Sequence, residues 1–355
     1  MNEEAAILVV GPSWIGDMTM AQSLFKTLKK QQPEQFIDVI APTWSIPVLD
    51  RMPEVRRGIA LPVGHGELGL RRRYRLGKTL RGQYRRAIVL PRSLKASLLP
   101  FFAHIPLRTG FTGEQRYGLI NDRRAFDPNL LDQTVKRFVA LGLTAMAAQR
   151  PFAIPYPRLT IDVDNQRQIL RRLQLDPQQP TVALLPGAEY GAAKQWPTAY
   201  YADLARTLNN HRYQVIVLGS VKDRPIGAKI VAAAGGAAHS LCGKTDIVEV
   251  IDLLSFCRAA ITNDSGLMHI AAAVDCPTVA IYGSSTPKLT PPLTRRASIA
   301  YLDINCSPCF KRQCPLGHLD CLRRIQPSSI AAKTFALLAT AVAEGAVEDI
   351  PNTVY

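Results

Sequence analysis

The sequence predicts an α/β protein made of two doubly wound, parallel-sheet domains, and three observations carry that expectation. Short apolar runs rich in β-branched residues recur along the chain, each followed by a Gly-, Pro- or Asn-containing loop and a longer amphipathic stretch. Strands that are apolar throughout belong to sheets buried on both faces, as when helices cover both sides of a parallel sheet. The runs fall into two series parted by Pro151-Phe-Ala-Ile-Pro155-Tyr-Pro157, a proline-dense stretch suited to a stiff connector. Finally, 355 residues, 47% of them hydrophobic, suit two domains of ordinary size and exclude wholesale disorder. The domains are expected at residues 1–160 and 161–355, with the last helix available to pack back on the first domain.

Taken in order, the first series is Ile7–Val10 before Gly11-Pro12, Val39–Ile40 before Ala41-Pro42, and Ile88–Leu90 before Pro91. The second is Val182–Leu185 before Pro186-Gly187, Val215–Leu218 before Gly219, Ala260–Thr262 before Asn263-Asp264, and Val279–Tyr282 before Gly283. Ligands of such sheets gather at the carboxyl ends of the strands, where these loops lie. Ser93–Ile105 reads first as a core helix and second as a segment that dips into a membrane interface. Ser328–Val347 is Ala-rich with few charges and should pack against a domain. No secretory or membrane-spanning segment is read. Ala5–Val10 is short and follows Glu3 and Glu4, and Phe335–Val347 stops short of the ~20 residues a span needs. A cytosolic protein is the expectation, and seven cysteines, an odd number, do not form a secreted disulfide framework.

Four loops carry chemistry. Gly11-Pro-Ser-Trp-Ile-Gly16-Asp17-Met18 lacks the third glycine of a dinucleotide loop and the Gly-Lys-Ser/Thr of a P-loop. An acid there would repel phosphate but could take a proton from a hydroxyl; alone, Asp17 reads as a cap on a helix starting near Met18. In Pro186-Gly-Ala-Glu-Tyr-Gly-Ala-Ala-Lys194-Gln-Trp196-Pro197, the lysine could face a departing phosphate, although an isolated lysine is usually a solvated one. Asn263-Asp264-Ser265-Gly266-Leu-Met-His269 ends a strand and opens a helix, with Asp264 or Ser265 as cap. Backbone N–H groups at such a terminus can hold a diphosphate, and His269 falls in the first turn. Gly219-Ser220-Val-Lys222-Asp223 could present Asp223 to ribose hydroxyls.

These loops, in this order, resemble the glycosyltransferase family of bacterial ADP-heptose transferases. Further matching segments are Ala41-Pro-Thr-Trp44, Met52-Pro-Glu-Val55, Pro62-Val-Gly-His-Gly66, Pro100-Phe-Phe102, Arg108-Thr-Gly110 and Arg116-Tyr-Gly-Leu119. The resemblance implies a GT-B fold, two Rossmann-like domains facing an interdomain cleft, with the sugar nucleotide on the second. It implies inverting transfer of L-glycero-D-manno-heptose from ADP-heptose to the first heptose of the lipopolysaccharide inner core, with no cofactor. Asp17 then resembles the general base beside Gly16, and Lys194 the group that stabilises departing ADP. Ser265 and Gly266 would bind the diphosphate, Asp264 and His269 would lie near heptose and phosphates, and Asp223 would bind ribose. The family often has Glu at the Asp223 position. Ala188, Glu189 and Tyr190 replace the family's hydroxyl residues before the lysine, so no role passes to them.

Lys and Arg outnumber Asp and Glu 43 to 28, a formal net charge of +15. Much of the excess is arginine in the first half, including Arg71–Arg73, Arg75, Arg81, Arg85, Arg86, Arg92, Arg108, Arg116, Arg123 and Arg124. Such charge suits an anionic acceptor and peripheral docking on the cytoplasmic face of an anionic inner membrane. A non-catalytic polyanion-binding protein is the reading of another class, but the aromatics that stack on nucleic-acid bases are sparse among these arginines, so no nucleic-acid partner is expected. Within the same architecture the alternatives are transfer to a heptose-free core or a nucleotide-sugar epimerase. Cys306, Cys309, Cys314 and Cys321 have spacing that could bind structural zinc, with reduced, partly buried thiols as the default.

Overall fold

A computed structural model describes residues 6–64 and 66–348, with side chains described through Thr340. His65, in the Pro62–Gly66 segment, and residues 349–355 lie outside the described residues. The chain divides into two compact units that part between Thr160 and Ile161.

In the first unit, β1 (Ile7–Val10), β2 (Ile37–Pro42), β3 (Arg57–Leu61), β4 (Arg86–Val89), β5 (Leu107–Phe111) and β6 (Asp122–Arg124) form a parallel sheet in the order 3-2-1-4-5-6. Ile7 stands opposite Ile37 on one side and Arg86 on the other, and Val10 opposite Ile40 and Val89. β1 is apolar throughout because it is central and covered on both faces: all four of its residues are buried. Strand order reverses between β1 and β4, so the loops after those strands diverge and leave a crevice at their carboxyl ends. Gly11 and Pro91 stand there.

The second unit repeats the plan. β7 (Thr181–Leu185), β8 (Gln214–Val217), β9 (His239–Ser240), β10 (Ala259–Asn263), β11 (Thr278–Tyr282) and β12 (Ala297–Tyr301) form a parallel sheet in the order 12-11-10-7-8-9. Its reversal point lies between β7 and β10, the strands that precede Lys194 and Asp264. Two loops far apart in sequence are thereby neighbours for a topological reason.

Polar groups inside the units fix these elements. Asp38 on β2 is fully buried and accepts from Arg56 at 2.8 and 2.7 Å, Arg57 at 2.9 Å and the Tyr84 hydroxyl at 2.6 Å. Burial alone would raise its pKa, but these donors outweigh burial and hold the carboxyl below its ordinary value. Gln22, buried on the helix Ile15–Gln31, donates to the Arg158 carbonyl at 2.7 Å and accepts from the Arg158 amide at 2.8 Å. The connector is thus tied to the helix that carries Asp17. Asp162 caps the helix Val163–Arg172, accepting from the amides of Asp164 and Asn165.

Through its described side chains the last helix, Pro327–Glu348, contributes Ile330, Ala331 and Leu338 to the second core. Two expectations need correction. The helix Leu94–Phe102 is amphipathic, not wholly buried: Leu99 is buried while Leu94 and Phe101 are exposed. Arg73 and Arg116 are buried, with Arg116 donating to the carbonyls of Pro91 and Phe111. Arg108 likewise donates to the carbonyls of Leu119, Ile105 and Gly118, so part of the arginine excess is spent on loop backbone rather than offered to a polyanion.

Candidate active-site residues in the two units

In the first unit, the glycine loop after β1 is held by close packing. The Gly11 amide donates to the Ile40 carbonyl at 2.8 Å, and a Cβ at Gly11 would meet the Met18 methyl at 2.6 Å. An added methyl there would displace the Met18 terminus and crowd the Ile40 carbonyl oxygen at 3.1 Å. The helix begins at Ile15, with Trp14 as cap, so half-buried Asp17 lies in the first turn rather than at the cap position. A carboxylate there benefits from the positive end of the helix dipole. Gly16, beside Asp17, is buried. Beside the glycine loop a cavity opens, lined by Gly11, Ser13, Trp44, Ser93 and Lys95 and also by Arg73 and Glu67. The Trp44 indole donates to the Ser13 carbonyl at 3.0 Å, joining the Ala41–Trp44 segment to the glycine loop. Two motifs that look independent in sequence therefore form one wall.

In the second unit, the loops after β7 and β10 meet as the topology requires. Asn263 staples them: its side-chain oxygen accepts from the Trp196 amide and the Tyr201 hydroxyl, each at 3.1 Å, and its amide donates to the Pro186 carbonyl at 2.7 Å. With Asn263 so used, the neighbouring Asp264 receives the Lys194 ammonium at 2.5 Å. Both side chains are largely buried, 16% and 6% exposed, so Lys194 is not a solvated surface lysine. The Ser285 hydroxyl donates to the same Asp264 oxygen at 2.5 Å, and the Thr290 hydroxyl reaches the other at 3.5 Å. Asp264 is therefore a counter-ion rather than a helix cap; the cap position falls to Ser265, in extended conformation, ahead of Gly266–Ala273.

His269 is on that helix and buried, and its Nδ1 has no hydrogen-bond partner among the described residues. Burial, with the Lys194 charge nearby, outweighs the attraction of Asp264 and brings its pKa down to about 4. The imidazole is neutral at physiological pH, a donor or acceptor rather than a cation. Asp223 is engaged in a capping box, accepting from the amide and hydroxyl of Ser220, both at 2.8 Å. A Cβ on Gly187 would touch its carboxylate at 3.0 Å, which sets Asp223 against the loop that leads to Lys194. Asp223 thus joins the Lys194 loop, whereas Asp17 and Gly16 belong to the first unit.

Ser285 and Thr290 were not legible as site residues, since nothing in Gly283-Ser-Ser-Thr286 distinguishes a carboxylate donor from an ordinary turn hydroxyl. The four clustered cysteines line a small second cavity together with Ala193, Ser284 and His318. Among the described residues, however, no three His, Cys, Asp or Glu side chains are grouped so as to hold a metal ion.

The model of glycosyltransferase family 9 (heptosyltransferase) matches residues 73–320. The chain belongs to this family. It is 43% identical over 341 residues to lipopolysaccharide heptosyltransferase 2 of Salmonella typhimurium, a match covering 94% of this chain and 98% of the relative. It is 46% identical over 306 residues to lipooligosaccharide heptosyltransferase 2 of Haemophilus influenzae, covering 83% and 88%. Among solved structures, ADP-heptose lps heptosyltransferase II of E. coli superposes with a TM-score of 0.84 at 40% identity, over 95% of this chain and 99% of that one. A family 9 glycosyltransferase from Veillonella parvula, only 18% identical, superposes at 0.83 over 96% and 99%, which shows how far the fold outlasts the sequence. The chain is a glycosyltransferase of the GT-B fold class, built from two Rossmann-like units.

Proposed function

We propose that this heptosyltransferase moves L-glycero-D-manno-heptose from ADP-heptose to the first heptose of the lipopolysaccharide inner core, inverting the anomeric centre in one displacement and needing no cofactor. The observation that carries the reading is the buried Lys194–Asp264–Ser285 group beside the N-terminus of the helix Gly266–Ala273. Cationic amine and helix-end amides together suit a sugar-linked diphosphate that gains negative charge as it departs.

In this mechanism the acceptor hydroxyl loses its proton to Asp17 as its oxygen bonds to the anomeric carbon. The bond from that carbon to the phosphate oxygen breaks, and its electron pair stays on ADP. Lys194 and the amides of Ser265 and Gly266 stabilise that oxygen, neutral His269 contacts donor phosphate or heptose, and Asp223 takes the ribose. Gly16 lets the acceptor approach Asp17. The cavity walled by Trp44, Lys95 and Arg73 in the first unit suits an anionic sugar.

No helix among the described residues is long and apolar enough to cross a membrane. Peripheral attachment to the cytoplasmic face of the inner membrane is supported by exposed Leu68, Leu70, Tyr74, Leu94 and Phe101 interspersed with Arg71, Arg72 and Arg75. Apolar side chains can enter the interface while basic ones meet anionic headgroups.

The test is a transfer assay with ADP-heptose and acceptors bearing zero or one heptose. Transfer to the one-heptose acceptor is expected; transfer only to the heptose-free core would reassign the acceptor, and none to either would reject the reaction. Asp17→Asn should keep ADP-heptose binding and lose most turnover, whereas Lys194→Ala should weaken both. Near-normal turnover in Asp17→Asn would remove it from the mechanism.

A further inference from the structure

We propose that Tyr190 is a positioning residue for Lys194, and that the cysteine-rich segment 306–321 is the brace that fixes Tyr190; this rests on the role given to Lys194 above. Tyr190 occupies a place where the family pattern assigns no role, and the segment has no part in the reaction. The structure joins the two.

The Lys194 ammonium lies 5.0 Å from the centroid of the Tyr190 ring. A cation near an aromatic face is attracted by the ring quadrupole, and the attraction is stronger where water is excluded, as it largely is at Lys194. The ring is held in turn. Its hydroxyl donates to the Phe310 carbonyl at 2.7 Å, and the Arg312 guanidinium lies 5.6 Å from the same centroid. The backbone is held as well. The Ala193 amide, one residue before Lys194, donates to the Arg312 carbonyl at 3.0 Å. At Gly191 a Cβ would fall 2.4 Å from that carbonyl oxygen and 2.8 Å from the Arg312 Cα, so only glycine lets the strands of chain come this close.

The segment is anchored on the side of Asp264. The Phe310 amide donates to the Ser284 carbonyl at 2.7 Å, and the Ser307 hydroxyl to the Gly283 carbonyl at 2.7 Å. Ser284 precedes Ser285, the donor to Asp264. A single stretch of chain thus connects the loop that holds Asp264 to the loop that holds Lys194. The ammonium is set between a carboxylate and a ring, each supported from the same segment. The four thiols of the segment border the same ground: Cys306, Cys309, Cys314 and Cys321 line the small second cavity together with Ala193 and Ser284.

The experiment compares Tyr190→Leu, which keeps apolar bulk without the ring, with Tyr190→Phe, which keeps the ring without the hydroxyl. Heptosyl transfer from ADP-heptose is followed as kcat and KM separately, with Lys194→Ala and the double variant Lys194→Ala/Tyr190→Leu. Tyr190→Leu should lower kcat/KM about fivefold to tenfold, because the ring no longer holds the ammonium in place. Tyr190→Phe should keep most of the rate. In the Lys194→Ala background, Tyr190→Leu should have little further effect. If Lys194→Ala is crippled yet Tyr190→Leu matches wild type in kcat and KM, the inference is overturned and the mechanism stands. If Tyr190→Leu costs as much with Lys194 absent as with it present, Tyr190 is only structural and the inference is again overturned. Full activity in Lys194→Ala would reject the mechanism and the inference together.

Discussion

Acid should weaken the second unit through one imidazole. His269 is 5% exposed, and its Nδ1 finds no partner among the described residues, so a proton there would place a charge in a site that cannot solvate it. Its pKa is brought from the ordinary 6.5 to about 4, chiefly by burial. Because the folded state binds the proton more weakly than the unfolded chain, stability rises with pH across that window. The contribution is complete above about 6.5, and it is lost as pH falls towards 4. A gap of about 2.5 pH units corresponds to about 3 kcal/mol, of which about 2 kcal/mol is already lost by about pH 5. Urea unfolding followed by tryptophan fluorescence resolves this unit, since Trp196 is 1% exposed in its core whereas Trp14 and Trp44 are exposed and belong to the first unit. Substituting Trp14 and Trp44 with Phe leaves Trp196 as sole reporter. The protein and its His269→Gln variant are then compared at about pH 7.5 and about pH 5, with the midpoint read at constant slope. The variant should lose about 2 kcal/mol less. Parallel losses in both would mean that His269 is not a buried neutral group, and the account of its site would fail.

Other perturbations have equally definite outcomes. Asp38→Asn should destabilise the first unit by about 2 kcal/mol, less than for a fully enclosed pair because Arg56 and Arg57 are half exposed and can be solvated; chemical denaturation measures it. As the Asp38 carboxyl titrates below its ordinary value when folded, its contribution is present above the usual carboxylate range and lost as pH falls through the folded pKa, a loss the Asn variant should lack. Ser285→Ala should slow transfer about tenfold by releasing one donor from Asp264, with Ser285→Thr restoring part of the rate in steady-state assays. Gly191→Ala should reduce turnover while leaving a folded protein by circular dichroism, since the added methyl must push the Lys194 loop away from Arg312.

The interior strands were legible in the sequence because their burial is two-sided. Ile7–Val10, Val182–Leu185 and Val279–Tyr282 are runs of apolar residues with no helical period, and all are central or next to central in their sheets. The strands the sequence does not mark are the four edge strands, β3, β6, β9 and β12, and β5, which lies between β4 and the edge strand β6. β6 is Asp122-Arg-Arg124, three charged residues without a buried one, and its pairing with β5 is set by tertiary position. Edge strands carry charge on an open side, so composition does not mark them. The prolines at 151–157 marked the connector, but Gln22, which ties it down, sits among apolar residues of a helix with nothing in the sequence to announce the contact.

The candidate site was legible in the same uneven way, for a reason that bears on the proposed mechanism. A loop after a buried strand, with a glycine and a capping residue, advertises an anion site by local chemistry alone, and this singled out Asp264 to Gly266. The pairing of Lys194 with Asp264 is separated by 70 residues and follows only from β7 and β10 being neighbours. That pairing changes what each residue does. An unpaired ammonium at this depth would carry a large desolvation cost, and an unpaired carboxylate there would repel a diphosphate. Joined, with Ser285 sharing the carboxylate, they form a closely paired group; in the proposed mechanism the amine would turn towards a phosphate oxygen as negative charge develops. The cationic help would then grow along the reaction coordinate instead of being fully used in binding the donor, which raises kcat rather than only lowering KM. Ser285 favours that division by keeping Asp264 hydrogen-bonded whenever Lys194 leaves it, so loss of the serine hydroxyl should be felt in the rate of transfer more than in donor affinity.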